Sequence, residues 1–356
     1  MKADSYPEIT LTLRPTNRFQ IINVTELISE QCSDLFDRCK KAVYYSYHTT
    51  AGYLDQKVCS RLNYDSQSVQ EFVKSFQRLF PPEANYHHDR LDLRKELNEE
   101  QRREEPRNAD AHLTFIGSGL TNCVTYTTSP RVPVFFIDLD GTNGSMVRSR
   151  QTTIIGVDRE TLVGQVRLAV PVSRHAVDSV NLKDERLGIF EELYSHVAKH
   201  GIRRGRISLS LEGEERNAAL TVNEYETLLM RYDLIEVLRN PVQFMAEKGR
   251  HILRDPRAVP FKAKEYAKYD LVQVMNEFVD AFGLSGSILE RLINKFLAFP
   301  AARFLQMKRT VNLLVKDGSC NGPRIVEGTY QSPILVQWQK ASAQARHLKA
   351  SFVRFD

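Results

Sequence analysis

Hydrophobic and polar positions alternate over Ile9–Leu13 and again over Phe19–Val24, which predicts two short strands near the start of the chain. Thr25 can cap a helix running from Glu26 to about Lys41, with Leu27, Ile28, Leu35 and Phe36 on one face. The β-branched and aromatic run Ala42–Tyr47 predicts a strand that delivers His48 at its end. Over Ser66–Phe80, Val69, Phe72, Val73, Phe76 and Leu79 recur at helical spacing, and Pro81-Pro82 stops the helix. A charged stretch, Arg90–Arg107, reads as a solvated loop or frayed helix and leads to a glycine turn at Gly117-Ser118-Gly119.

From Arg131 to Ser173 the pattern returns to strands, at Val132–Ile137, Thr152–Val157 and Val166–Val172. Helical spacing follows, over Leu182–Lys199, Val222–Leu238, Pro241–Leu253, Ala263–Phe282 and Ser287–Phe299. The apolar stripe of the last of these, from Ile288 to Leu297, reads as core packing. The end is strand again, at Thr310–Val315, Ile334–Trp338 and His347–Phe355. Strand-rich ends thus enclose a helical middle, an α+β pattern in which the sequence shows no internal repeat.

A chain of 356 residues can form one large domain or two ordinary ones, and 42% hydrophobic with 26% charged residues points to a soluble globular protein. No signal-like segment opens the chain and no run of about 18 apolar residues interrupts it, so the expectation is a cytoplasmic protein with no membrane segment. The cysteines Cys32, Cys39, Cys59, Cys123 and Cys320 are scattered and unpaired in pattern, so neither a disulfide framework nor a thiolate zinc site is expected. Cys59 and Cys123 read as small buried residues. A net charge of +5 is mild. The basic clusters at Arg203–Arg206 and Lys248–Arg257 have acidic neighbours and no interleaved aromatics, so nucleic acid is not an expected partner.

Candidate chemistry centres on three histidines, each in a short motif: His48 in Tyr47-His48-Thr49-Thr50-Ala51, His88 in Tyr86-His87-His88-Asp89, and His112 in Asn108-Ala109-Asp110-Ala111-His112. Neutral imidazoles are common ligands of zinc-like ions, and three together would leave an open coordination position. Two other patterns are weaker. Phe135–Thr142 ends in Asp138-Leu139-Asp140-Gly141-Thr142, like the first motif of haloacid-dehalogenase phosphatases, but the following residues read as a hairpin. His196 and His200 share a helix face with no third ligand apparent, as solvated surface does.

The order His-Thr-Thr-Ala, then Tyr-x-His-Asp, then Asn-x-Asp-Ala-His before a glycine turn resembles the YjbQ family of secondary thiamine-phosphate synthase-like proteins. That family closes with a Gly-Thr-Trp-Gln strand, whose best match here is Gly328-Thr329-Tyr330-Gln331. A nearer rival, Ser149-Arg150-Gln151-Thr152, keeps only the Gln. The resemblance implies an α+β fold with a YjbQ-like β-sandwich domain, discontinuous in sequence, made of residues 1–127 and 308–356. Residues 128–307 would then be an inserted region, strand-rich at first and then mainly helical.

The resemblance further implies a site in which His48, His88 and His112 hold a divalent metal such as zinc, with Asp89 as a further catalytic candidate. Thr49, Thr50, Tyr86, Asn108, Thr329 and Gln331 would line it, and a phosphorylated small molecule would be the ligand. It implies a homotrimer and a weak thiamine-phosphate synthase-like activity. Two customary carboxylates are absent: an Asn-Glu pair is replaced by Gln56-Lys57, and a later Glu by Gln337. Unless Asp55, Asp89 or Asp110 replaces them, general acid–base chemistry is lost, which makes ligand or partner binding without catalysis the alternative reading.

Overall fold

The structure is a computed structural model that describes residues 7–32, 34–94, 97–144, 146–239, 244, 305–318 and 322–356. It contains α-helices and antiparallel sheets in two compact units. The strand unit comprises residues 1–66, 119–225 and 307–356, and the helical unit comprises 67–118 and 226–306. Among the described residues no helix is long and apolar enough to cross a membrane. The expected helices Ala263–Phe282 and Ser287–Phe299, and nearly all of Pro241–Leu253, lie outside the described residues.

In the strand unit, β1 (Glu8–Leu13), β2 (Gln20–Asn23), β3 (Lys41–Ser46), β4 (Ala51–Gly52), β5 (Cys123–Thr127), β6 (Phe135–Asp138), the hairpin β7 (Thr142–Asn143) and β8 (Met146–Val147), and β9 (Arg150–Val157) come first. Then follow β10 (Glu160–Pro171), β11 (Asp178–Asn181), β12 (Gly205–Leu211), β13 (Ala218–Asn223), β14 (Thr310–Gly318), β15 (Gly322–Ile325), β16 (Ser332–Gln337) and β17 (Ala345–Phe355). The early helix is shorter than expected. It spans Val24–Gln31, capped by Asn23 rather than Thr25, and a separate turn follows at Leu35–Arg38.

The two sets of strands are two copies of one topology, which corrects the expectation of no internal repeat. The first set forms sheets in the orders β1-β9-β3-β5 and β2-β6-β4; the second forms β10-β17-β12-β14-β15 and β11-β16-β13. The register repeats as well as the order. Gln20 and Ala51 flank Asp138 as Asp178 and Ala218 flank Gln337. An isolated bridge Tyr53–Thr121 recurs as Leu220–Lys308. The repeat is hidden in sequence because antiparallel pairing constrains which face a side chain takes, not its identity. Among the described residues, the segment between β4 and β5 carries helices and the one after β13 carries the helical turns Leu229–Asp233 and Leu234–Arg239; both segments fall largely in the helical unit.

Residues 128–307 therefore contribute strands to the sheets of residues 1–127: β9 lies between β1 and β3, and β6 between β2 and β4. Strands β12 and β13 were not expected at all. Ile207, Leu209 and Leu211 are buried and alternate with Arg206, Ser208 and Ser210, a period-two pattern masked by the basic cluster just before it. One apolar core lies within the second copy, where helix Ile189–Lys199 buries Ile189, Leu193 and Val197 against Leu168, Leu209, Leu348 and Phe352. His196 stacks on Phe352 there and His200 stacks on His196, so they cover the core rather than face water alone. Another core joins the copies, with Val43, Tyr45, Ile155 and Val157 packed with Leu314, Val326, Val353 and Phe355.

In the helical unit, Ser66–Leu79 buries Val69, Val73, Phe76 and Leu79, as its spacing predicts. Within the charged stretch a short helix forms at Glu99–Glu104, closed by an Asn98–Gln101 capping box. Helix Ala109–Gly117 is buried along its whole length.

Candidate functional site

His48 sits on the turn that leaves β3, in the strand unit. Four side-chain amides and backbone groups hold that turn from outside it. Gln331 Nε2 donates to the carbonyls of Ser46 (2.8 Å) and His48 (3.0 Å). Asn122 also donates to the His48 carbonyl, Asn223 to that of Thr49 (2.8 Å), and the Leu139 N–H to that of Thr50 (3.0 Å). Gln331 Oε1 in turn accepts from Tyr45 Oη (2.7 Å) and the Gly328 N–H (2.9 Å). A primary amide has two donor and two acceptor positions, so the protein itself satisfies Gln331 completely. Gln331 thus positions the His48 turn. Thr50 has a similar role, since it is buried and its hydroxyl accepts from Arg150 (3.3 Å). Thr329 is exposed at the tip of the Gly328–Gln331 turn.

The imidazole of His48 accepts the Gln151 N–H on Nε2 (2.7 Å). This bond assigns the ring proton to Nδ1. Burial, then the nearby Arg150 and Arg148 guanidinium groups, lower the His48 pKa to about 3, so the ring is neutral at ordinary pH. A metal ligand must offer a lone pair, and the one on Nε2 is already engaged. In this state His48 presents an N–H donor in a cationic surrounding, which suits an anion. Both glutamines considered for the closing motif touch this histidine: Gln331 through its carbonyl and Gln151 through its ring.

The repeat explains one of the absent carboxylates. Gln337 occupies the register position of Asp138. Asp138 is fully buried and held in a two-pronged pair by Arg150, Nε to Oδ2 and Nη2 to Oδ1, both 2.8 Å. In the second copy Arg346 Nε donates to Gln337 Oε1 (3.1 Å), and Gln337 Nε2 donates to the His175 carbonyl (2.9 Å). The position anchors an arginine in both copies, with an ion pair in one and a neutral acceptor in the other. The counterpart of His48 is replaced: Glu215 accepts the His347 N–H (2.7 Å) just as His48 accepts the Gln151 N–H, and it also binds Arg346 (2.9 Å). Asp138 and Asp140 each bind an arginine, Asp140 pairing with Arg148 at 2.8 Å, and β7–β8 is a hairpin; neither aspartate is placed as a phosphatase nucleophile or acid.

In the helical unit, His88 and His112 come together. Their ring centroids are 5.2 Å apart and their ligand nitrogens lie within 4.8 Å. Asp89 organises the pair. Its Oδ1 accepts from His88 Nδ1 (3.0 Å) and from the Ala109 N–H (3.0 Å), at the start of the helix that carries His112 one turn later. With Nδ1–H directed to Asp89, His88 keeps its lone pair on Nε2, the tautomer a metal requires. Asn108 stands before that helix, and its carbonyl accepts the Ala111 and His112 N–H groups (3.0 and 3.2 Å). Tyr86 is buried and donates to the Pro81 carbonyl (2.8 Å). These residues thus build the site's frame.

Sequence reasoning missed Asp233. It lies at the end of a π-helical turn, Leu229–Asp233, and is fully buried. Its two oxygens accept the consecutive N–H groups of His87 and His88, each at 2.9 Å, and so fix the peptide that carries His88. No local motif marks it. Of the acids considered as substitutes, Asp55 pairs with Lys308 and Asp89 holds His88. Burial raises the Cys59 thiol and pushes that of Cys123 up to about 12, so both are inert small residues as expected.

No protein-family model matches the chain, and no curated protein matches it. Solved structures do. The chain is similar to a YbjQ-like protein of unknown function from Sulfolobus solfataricus P2, at 17% identity over 55% of this chain and 99% of that one, with a TM-score of 0.28. A hypothetical protein from Aeropyrum pernix K1 matches at 19% identity, covering 53% and 98%, with a TM-score of 0.28. An uncharacterized conserved protein of the YjbQ/UPF0047 family from Clostridium acetobutylicum matches at 17% identity, covering 42% and 99%, with a TM-score of 0.27.

Proposed function

We propose that this is a YjbQ-like protein in which His88 and His112 hold a divalent metal, zinc first, for metal-assisted chemistry on a phosphorylated small molecule. The observation that carries the reading is the Asp89–His88 bond beside His112. A carboxylate behind an imidazole fixes the ligating tautomer and raises its basicity, as in many metal sites. When bound, such an ion would neutralise phosphate charge and polarise a P–O bond. His48, with its Nδ1–H and the nearby Arg148 and Arg150, supplies an anion-binding donor; the resemblance would make it a third ligand instead. A weak thiamine-phosphate synthase-like activity, a β-sandwich strand unit and a homotrimer belong to the same proposal.

The second reading is a binding protein without turnover. It draws on the acids: Asp55 and Asp89 both have partners, and Lys57 stands where the family has an acid. The fate of Gln337 no longer favours it, because that position anchors Arg346. Zinc content of the purified protein and of His88→Ala tests the metal; unchanged zinc in the variant would overturn it. Turnover assays with thiamine precursors and phosphorylated metabolites then separate the two readings.

A further inference from the structure

We propose that His87, Asp233 and Glu236 form a second divalent-metal site, distinct from the His88–His112 pair. Each of the three offers a ligand atom within 4.8 Å of the others. His87 Nδ1 lies 3.5 Å from Asp233 Oδ1 and has no hydrogen-bond partner among the described residues, although the atom is shielded from solvent. The ring is held flat against Tyr232, with centroids 4.8 Å apart and planes 20° apart. A histidine with a fixed ring and a shielded nitrogen pointed at a carboxylate is oriented as a metal ligand is.

The helix geometry supports the grouping. Asp233 closes a π-helical turn and helix Leu234–Arg239 begins at the next residue. Single π-helical turns recur at functional sites. Asp233 and Glu236 are three apart, so they share a helix face, and Glu236 stands at its solvent-accessible side. Each Asp233 oxygen accepts one backbone N–H, which fixes the carboxylate beside the His87 ring. One imidazole with two carboxylates suits a borderline ion such as Zn²⁺ or Mn²⁺; it offers too few oxygens for Ca²⁺.

Such an ion would act on His88 as well. Asp233 binds the N–H of both His87 and His88, so loading the outer site stiffens the peptide that presents His88. The site is open to solvent where the His88–His112 pair is buried, so its ion would exchange with the medium. The inference does not depend on the pair holding metal, since none of its three ligands belongs to the pair.

The test is calorimetric titration of chelator-stripped full-length protein with ZnCl₂, with zinc per chain measured after desalting. Two zinc ions per chain are expected. Glu236→Gln and His87→Gln should each lose one, through at least a tenfold weakening, while keeping the other; His112→Gln should lose the other and keep this one. If Glu236→Gln and His87→Gln both retain the full stoichiometry, His87 and Asp233 form an ion pair only and the outer site is overturned. If His112→Gln alone changes nothing, the inner site fails and the outer one stands. Thermal melts accompany each variant, and Glu236→Gln, at the surface, remains decisive if His87→Gln folds poorly.

Discussion

Gln331 donates its side-chain amide to the carbonyl of His48 from a position 283 residues away in sequence. The first copy of the fold supplies the histidine and the second copy supplies the clamp. The turn that carries His48 is therefore held by both copies, and the second copy has Glu215 where the first has His48. The turn is tight: Gly328 lies against the Tyr47 carbonyl, where any Cβ would collide.

Removing the clamp should cost stability. Gln331→Ala would remove one donor each from the buried Ser46 and His48 carbonyls and the side-chain acceptor of the Gly328 N–H, while Asn122 still reaches the His48 carbonyl and the Tyr45 hydroxyl keeps the Val326 carbonyl. The expected loss is about 2–4 kcal/mol in urea melts, with Tyr45→Phe costing about 1 kcal/mol. A Gln331→Ala protein as stable as the parent would show that the amide is a ligand contact rather than a brace.

Acid should weaken the fold through His48. Its folded pKa of about 3 lies below the ordinary unfolded value of roughly 6.5, so the unfolded chain binds the proton more readily. The stabilisation is complete above pH ~6.5 and is lost as pH falls toward 3, by up to about 1.4 kcal/mol per pH unit. His48→Gln, which keeps an acceptor for the Gln151 N–H, should flatten that limb of the stability–pH curve. An unchanged slope would refute the buried neutral ring.

The copies make a prediction at Asp138. Asp138→Ala strands a buried Arg150 and should cost about 3–5 kcal/mol. Asp138→Gln keeps a neutral acceptor for Arg150, as Gln337 does for Arg346, but supplies no counterpart of the Glu215 carboxylate that also binds Arg346, so it should cost less than Asp138→Ala while still destabilising. Chemical denaturation of both variants measures the difference, and equal losses would mean that the two positions are not equivalent.

Asp89→Asn removes the carboxylate behind His88 while keeping size. Zinc affinity at the His88–His112 pair should fall about 10–100-fold, with the helix Ala109–Gly117 retained by circular dichroism. Affinity within twofold of the parent would separate Asp89 from any metal role.

The sequence by itself determined the local elements whose side-chain period is unambiguous. Helix Ser66–Leu79 follows from apolar spacing, because burial of one face needs only a regular pattern, and strand β3, buried on both faces, follows from its β-branched and aromatic run. It also determined which histidines stand in motifs. Partner choice was left to the tertiary structure. That β9 lies between β1 and β3, that two copies of one topology exist, and that Asp233 braces the His88 peptide are all consequences of long-range pairing. Backbone hydrogen bonds and carboxylate–amide bonds are made by groups that every residue, or every acid, carries, so no residue type announces them in advance. The same reason separates the histidines: motif context made His48 and His88 look alike, and only the bonds to Gln151 and Asp89 show that one offers a proton and the other a lone pair.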